Sequence, residues 1–95
     1  MKVLVNGFPV TTVIDSGTTM SFIARKFVPA SAMIPSNAIP IQVGNGQTIW
    51  TEGTAEIVVS CGETTSDQPA VVLDTDAFQA VLGMDFLQPH IAEVF

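Results

Sequence analysis

Short runs rich in Val, Ile and Thr recur along this chain between Gly, Asn, Asp and Pro residues, and this alternation restricts its fold more than any other feature. Such runs favour β-strands separated by tight turns. The clearest example is Asn6-Gly7, which separates residues 2–5 from residues 8–14. Asn-Gly is the dipeptide that best tolerates the positive φ angles of a type I′ turn. The sequence therefore predicts an N-terminal hairpin in an all-β protein.

A second Asn-Gly dipeptide, Asn45-Gly46, predicts another hairpin between residues 39–43 and residues 47–51. Gly44 comes directly before this dipeptide, and glycine places no Cβ restriction on the backbone. The tip of the second hairpin should therefore be unusually pliable.

Two further strands and a single core complete the expected domain. Residues 55–60 and residues 69–73 have strand composition and flank a turn near residues 61–63. A chain of 95 residues rarely divides into two cores, because neither would bury enough apolar surface. With 47% apolar and 13% charged residues, the chain also differs from disordered segments. We therefore expect one folded domain over residues 1–95.

Signals for helix are confined to two short segments. Ser21 is a candidate N-cap for a helical turn over residues 21–28, and Pro89 should end a second short helix over residues 84–88. The proline-containing residues 29–40 predict an extended surface loop that leads into the second hairpin.

Charge and cysteine content exclude several classes of function. The only basic residues are Lys2, Arg25 and Lys26, against nine acidic residues, which gives a formal net charge of -6. No basic surface is available to neutralise phosphates or anionic lipids, so nucleic acid and membranes are poor partners. Cys61 is the single cysteine and His90 the single histidine, so the sequence has no zinc-binding Cys/His pattern. We expect no metal and no cofactor.

One carboxylate lies in a context that suits catalysis. The segment that carries it is Val13-Ile14-Asp15-Ser16-Gly17-Thr18, an apolar run that enters a tight turn of small and hydroxylated residues. Asp, Ser and Gly also dominate ordinary turns because they hydrogen-bond locally, so this segment alone is equally consistent with a plain turn. A second segment, residues 80–87, is an apolar run interrupted by Gly83. The pair of segments is more informative than either one.

Together these segments resemble the retropepsin family, the proteases of retroviruses and long-terminal-repeat retrotransposons and their cellular relatives. The segments that carry the resemblance occur in family order and are residues 13–18, residues 21–23, residues 43–48 and Val81-Leu82-Gly83-Met84-Asp85-Phe86-Leu87. The resemblance implies a small closed antiparallel β-barrel-like acid-protease fold with one or two short helices, which acts as a homodimer. It also implies an intracellular setting, in the cytoplasm or within a virus-like particle.

The resemblance also implies roles for individual residues. Asp15 would be the catalytic aspartate, and the residues that support its loop would be Ser16, Gly17 and Thr18. Thr18 would offer its hydroxyl to the Asp15 carboxylate, and Ser16 would bond the partner chain's loop. The flap that closes over bound peptide would consist of Val43, Gly44, Asn45, Gly46 and Gln47. The floor of the pocket would contain Ile23, Val81, Leu82 and Gly83, with an apolar lining to which Ile49 also contributes.

Peptide hydrolysis explains why one such aspartate requires two chains. A water must be activated by a base while an acid protonates the substrate, and a lone carboxylate cannot be both. Two carboxylates held about 3 Å apart share one proton and supply both states. Because only Asp15 lies in an Asp-Ser-Gly segment, the second carboxylate should come from a twofold-related copy. We therefore expect a homodimeric aspartic endopeptidase that cleaves a peptide or polyprotein.

Other readings of the chain remain open. One alternative is a catalytically silent retropepsin-fold domain that dimerises or binds peptide, and another is an unrelated β binding module in which residues 15–17 form a plain turn. Structural roles are expected for Asp74, Asp76 and Asp85. Trp50 should pack at the base of the flap, and residues 91–95 should contribute to the dimer interface.

Overall fold

The N-terminal hairpin forms at the predicted dipeptide. In the computed structural model, which describes residues 2–42, 46 and 48–89, β1 (Lys2–Val5) pairs antiparallel with β2 (Phe8–Ile14). The turn residues Asn6 and Gly7 have φ angles of 51° and 85°. Both angles lie in the left-handed region that a type I′ turn requires, so this hairpin is confirmed.

The remaining elements are short, except for two long strands. In chain order they are β3 (Phe22–Ala24), a 3₁₀ turn (Arg25–Phe27), a second 3₁₀ turn (Ala30–Ala32), β4 (Met33–Pro35), β5 (Pro40–Gln42), β6 (Thr48–Cys61), β7 (Thr64–Leu73), β8 (Ala80–Leu82) and α1 (Met84–Leu87). No helix in the described part of the chain is long and apolar enough to cross a membrane.

Within the described residues, six strands close into a barrel. They are ordered β1-β2-β8-β3-β7-β6, and β6 pairs back to β1 through Leu4 opposite Ser60 and Val5 opposite Val59. The β2–β8 and β3–β7 pairings are parallel, and the other four are antiparallel. Closure leaves these strands without free edges. The expected closed, mostly antiparallel β-barrel is confirmed.

The core fills the inside of this barrel. Burial alternates along β6, where Ala55, Ile57 and Val59 face inward while Glu56 and Val58 face outward. This alternation follows from the two-residue period of a strand. Each large apolar side chain that is fully buried contributes about 1.5–3 kcal/mol to stability. The barrel interior is therefore the main source of folding energy.

Two local expectations differ from the structure. A helical turn capped by Ser21 was expected over residues 21–28, but the helical turn is confined to the 3₁₀ residues 25–27, because β3 before it pairs with both β7 and β8. Residues 29–40 contain the short strand β4, which pairs with β6, in place of a continuous loop. Long-range pairing overrides the local signal in both segments.

Candidate active site

Asp15 follows the last residue of β2, where the barrel strand gives way to a tight turn. Its backbone N–H donates to the Leu82 carbonyl at 3.1 Å, and the Thr18 N–H donates back to the Asp15 carbonyl at 3.3 Å. The Gly17 N–H donates to the side-chain Oδ1 of Asp15 at 2.9 Å. The turn therefore holds the carboxylate in one orientation while the residue stays exposed.

The Asp15 carboxylate borders a largely apolar pocket of about 540 Å³. Volumes of this size accommodate the side chains of a bound ligand. The described residues that line the pocket are Val13, Asp15, Thr18, Phe22, Ile41, Gln42, Leu73, Ala77, Phe78 and Val81. Among them, Asp15 is the only residue with a formal charge. The pocket can therefore receive apolar groups next to a single carboxylate.

The predicted floor residues divide between this pocket and the core. Val81 lines the pocket, whereas Ile23 and Leu82 are buried inside the barrel at 0% and 1% exposure. Successive side chains of a strand point to opposite faces, so Phe22 reaches the pocket where Ile23 was expected. Ile49 is buried behind the pocket wall.

The second predicted hairpin borders the same pocket. β5 pairs antiparallel with the start of β6, and Ile41 and Gln42 of β5 line the pocket. Four of the predicted flap residues lie outside the described residues, namely Val43, Gly44, Asn45 and Gln47. Gly46 is exposed and has a φ angle of 83°. The flap role of this hairpin stays a prediction.

Gly83 lies directly under the loop that carries Asp15. A Cβ atom at this position would be 2.5 Å from the Met20 carbonyl oxygen and 2.9 Å from that of Thr18. Such distances are too short for a carbon next to a backbone oxygen, so only glycine fits. The adjacent Met84 N–H donates to the Thr18 carbonyl at 2.8 Å. Close packing and hydrogen bonding together attach the loop to the start of α1.

A polar cluster around Asp85 attaches this region to the barrel. The Asp85 carboxylate accepts from the Ser21 hydroxyl at 2.6 Å, from the Ser21 N–H at 3.1 Å and from Gln68 Nε2 at 2.9 Å. The Ser21 hydroxyl in turn accepts from the Gly83 N–H at 3.1 Å. Hydrogen bonds to an ionised group are stronger than neutral ones. Asp85 therefore has a structural role, as expected, and it fills that role through its hydrogen bonds to Ser21 and Gln68.

The hydrogen bonds predicted for the Thr18 and Ser16 side chains have different outcomes. The Thr18 hydroxyl was expected to bond the Asp15 carboxylate, but it donates to the Met20 carbonyl at 3.3 Å. Ser16 is exposed in the turn, and its bond to a partner chain stays a prediction.

The acids of the segment after β7 lie outside the pocket lining. Asp74 and Asp76 are exposed, and Asp76 Oδ1 lies 3.8 Å from the Lys26 ammonium. The described part of the chain thus brings no second carboxylate to the pocket that Asp15 lines.

Comparison with known proteins agrees with this geometry. The sequence profile of the family described as "gag-polyprotein putative aspartyl protease" matches residues 1–89. The chain belongs to this retropepsin-like family of aspartic proteases. No curated protein matches the chain by sequence.

Solved structures share the fold at low sequence identity. The retroviral protease-like domain of Ddi1 from Leishmania major has 18% identity and a TM-score of 0.74, and the match covers 95% of this chain and 74% of that one. EIAV protease, solved with the inhibitor HBY-793, has 18% identity and a TM-score of 0.67, with coverage of 94% and 84%. A retropepsin-like aspartic protease from Rickettsia conorii has 13% identity and a TM-score of 0.65, with coverage of 93% and 68%. These likenesses establish the retropepsin fold.

Several residues of the site in this family member were not predicted from the sequence. Phe22 and Phe78 line the pocket, and Gln68 holds Asp85. Gln68 is a polar residue in a strand, and its 4% exposure indicates a structural role only once its partner is known. The alternation of β3 could have placed Phe22 on the pocket face if that segment had been recognised as a strand.

Proposed function

We propose that this chain is an aspartic endopeptidase whose active site forms between two copies, each of which supplies Asp15. The observation that carries this proposal is the Asp15 carboxylate, held by the Gly17 N–H beside an apolar pocket with no second carboxylate among its described lining residues. A twofold-related copy would bring the second carboxylate to the same place. Membership of an aspartic protease family supports the same assignment.

The chemistry follows from two carboxylates that share one proton. The ionised Asp15 accepts a proton from a water, and that water attacks the carbonyl carbon of the scissile peptide bond. The protonated Asp15 of the other copy donates its proton to the carbonyl oxygen.

Apolar surface next to Asp15 supports a partner at this position. Val13 is 51% exposed and Met20 is 49% exposed, and both lie within five residues of Asp15 in the chain. Apolar groups gain free energy when a partner removes them from water. An isologous interface would place the same side chains of both copies around the two carboxylates.

The pocket indicates what kind of substrate fits. Its lining includes Phe22, Ile41, Phe78 and Val81, so it favours large apolar side chains of an extended peptide of about six to eight residues. The β5–β6 hairpin borders the pocket and would act as the flap. The family description names the gag polyprotein, which supports polyprotein processing as the role.

Cleavage of a peptide library tests the proposal. We expect Asp15→Asn, which keeps the shape but removes the charge, to lower kcat/KM by about 100- to 10,000-fold, because base and acid are both lost. Asp74→Asn makes the same chemical change at an exposed acid outside the pocket and should keep full activity. Equal rates for wild type and Asp15→Asn would refute the proposal. Peptides that bind without being cleaved would favour the catalytically silent alternative.

A further inference from the structure

One wall of the pocket consists of Ala77 and Phe78, and Gln79 connects this wall to strand β8. β8 lies between β2 and β3, and its pairing begins at Ala80, which is opposite Thr12 on one side and Ile23 on the other. The residues directly before Gln79 are Ala77 and Phe78, and both line the pocket. Gln79 is therefore the junction between the barrel and the pocket wall.

Gln79 makes hydrogen bonds to both strands that flank β8. Its side-chain Oε1 accepts from the Thr11 N–H of β2 at 2.7 Å, and its main-chain carbonyl accepts from the Ala24 N–H of β3 at 2.9 Å. Thr11 is one residue before the start of the β2–β8 ladder. The Gln79 amide oxygen thus takes the place of the next ladder acceptor, so the backbone can turn away and present Phe78 to the pocket.

The other polar contacts of this wall are weaker or local. The Lys26–Asp76 ion pair is 3.8 Å long between side chains that are 55% and 97% exposed, and such surface pairs contribute little. The Ala77 N–H bonds the Thr75 hydroxyl at 3.0 Å, but both residues belong to the same loop. Among the described contacts, the hydrogen bond from the Thr11 N–H to the Gln79 side chain is the short side-chain bond that joins this wall to the barrel.

We propose that Gln79 is a positioning residue that sets the size selectivity of the pocket by fixing Phe78. Phe78 packs against Ile49, Val71 and Leu73. When the bond to Thr11 is lost, the wall can move outward and the contact of Phe78 with a large substrate side chain weakens. The inference rests on the proposed function, because it assumes that the pocket takes substrate side chains.

Binding measurements separate this inference from catalysis. In the Asp15→Asn protein, dissociation constants are measured for two peptides that differ only in Phe or Ala at the central position. We expect Gln79→Leu, which has a similar volume but no acceptor, to weaken binding of the Phe peptide by about fivefold and leave the Ala peptide nearly unchanged. Gln79→Glu keeps an acceptor at the same reach and should preserve the parent ratio of the two constants.

Two more variants exclude simpler explanations. Gln79→Asn keeps the amide but is one methylene shorter, so its oxygen should not reach the Thr11 N–H and the variant should bind peptides as Gln79→Leu does. It replaces Gln79→Leu in the test if the Leu variant does not fold. Gln88→Leu makes the same apolar change at an exposed residue after α1 and should leave the ratio unchanged. Hydrogen exchange of the Thr11 amide, followed by NMR, should become faster in the Leu and Asn variants only.

Each outcome bears on a different claim. Gln79→Leu and Gln79→Asn could both exchange the Thr11 amide hydrogen faster and yet keep the same ratio of dissociation constants as the Asp15→Asn parent. That result would overturn the role of Gln79 and leave the protease proposal intact. The wild type could also cleave no peptide while the ratio of the two dissociation constants still depends on the Gln79 acceptor. That result would support the role of Gln79 and refute the proposed protease activity. Failure of both peptides to bind would overturn the inference about Gln79.

Discussion

At residue scale, Gly83 and Asp15 depend on each other through backbone atoms. The two oxygens that a Cβ at Gly83 would contact belong to Thr18 and Met20, on the segment that continues from the Asp15 turn. Backbone atoms cannot move aside as the end of a side chain can. Space for a methyl group would therefore require displacement of the loop that carries Asp15.

We expect Gly83→Ala to lower the free energy of unfolding by about 1–3 kcal/mol, as overpacking does in other cores. It should also lower peptide cleavage per folded molecule, because the Asp15 loop shifts. Urea denaturation and initial rates measure the two effects. Gly62→Ala is the control, since Gly62 has a φ angle of 62° in the β6–β7 turn and its substitution costs about 1–3 kcal/mol of backbone strain. Full activity in both variants would contradict the role given to Gly83.

The sequence predicted those residues whose role is local. The turn at residues 15–17 and the hairpin at Asn6-Gly7 depend on neighbours in the chain, so their residue types are informative. Ser21 was expected to cap a helix, but its partner Asp85 is 64 residues away. No local pattern carries that information, since the contact exists only after the barrel closes.

At the scale of elements, β3 shows why the helical turn predicted over residues 21–28 is confined to residues 25–27. β3 has three residues and forms a strand because β7 lies parallel to it on one side and β8 antiparallel on the other. Its own residues give too short a pattern to reveal this. By contrast, α1 was predicted within one residue, because Gly83 and Pro89 flank it in the sequence.

The Asp85 cluster joins α1 to β7 and to Ser21, the residue before β3, and its loss should destabilise the protein. Asp85→Ala would leave the Ser21 hydroxyl, which is buried at 1% exposure, without its acceptor, and Gln68 Nε2 would keep its bond to the Pro69 carbonyl alone. We expect the free energy of unfolding to fall by about 1–3 kcal/mol in urea denaturation. Asp85→Asn should lose less, because its oxygen can accept from Gln68 while its amide donates to Ser21.

An exposed carboxylate on β7 provides the control for this prediction. Asp67 is exposed, and Asp67→Ala should change stability by no more than about 0.5 kcal/mol. Equal losses in Asp67→Ala and Asp85→Ala would mean that the Asp85 cluster contributes nothing specific.

At the scale of the whole molecule, the barrel is complete in one chain but the proposed active site is not. Each of the six barrel strands pairs with a neighbour on both sides within one chain. The pocket, however, has one carboxylate among its described residues. The sequence predicted the barrel through family resemblance, whereas the dimer follows from the chemistry of Asp15 and stays a prediction.

Association should therefore be tested where the apolar surface meets the Asp15 loop. In the proposed dimer, Met20→Glu would place two like charges beside the Asp15 loops, and burying them unpaired is costly. We expect its dimer dissociation constant, measured by sedimentation, to rise at least about tenfold, with activity lost at low protein concentration and recovered at high concentration. Ile34→Glu is the control, because Ile34 is 67% exposed on β4 and does not line the pocket. A fully active monomer at any concentration would show that one copy suffices, and the symmetric mechanism would have to be abandoned.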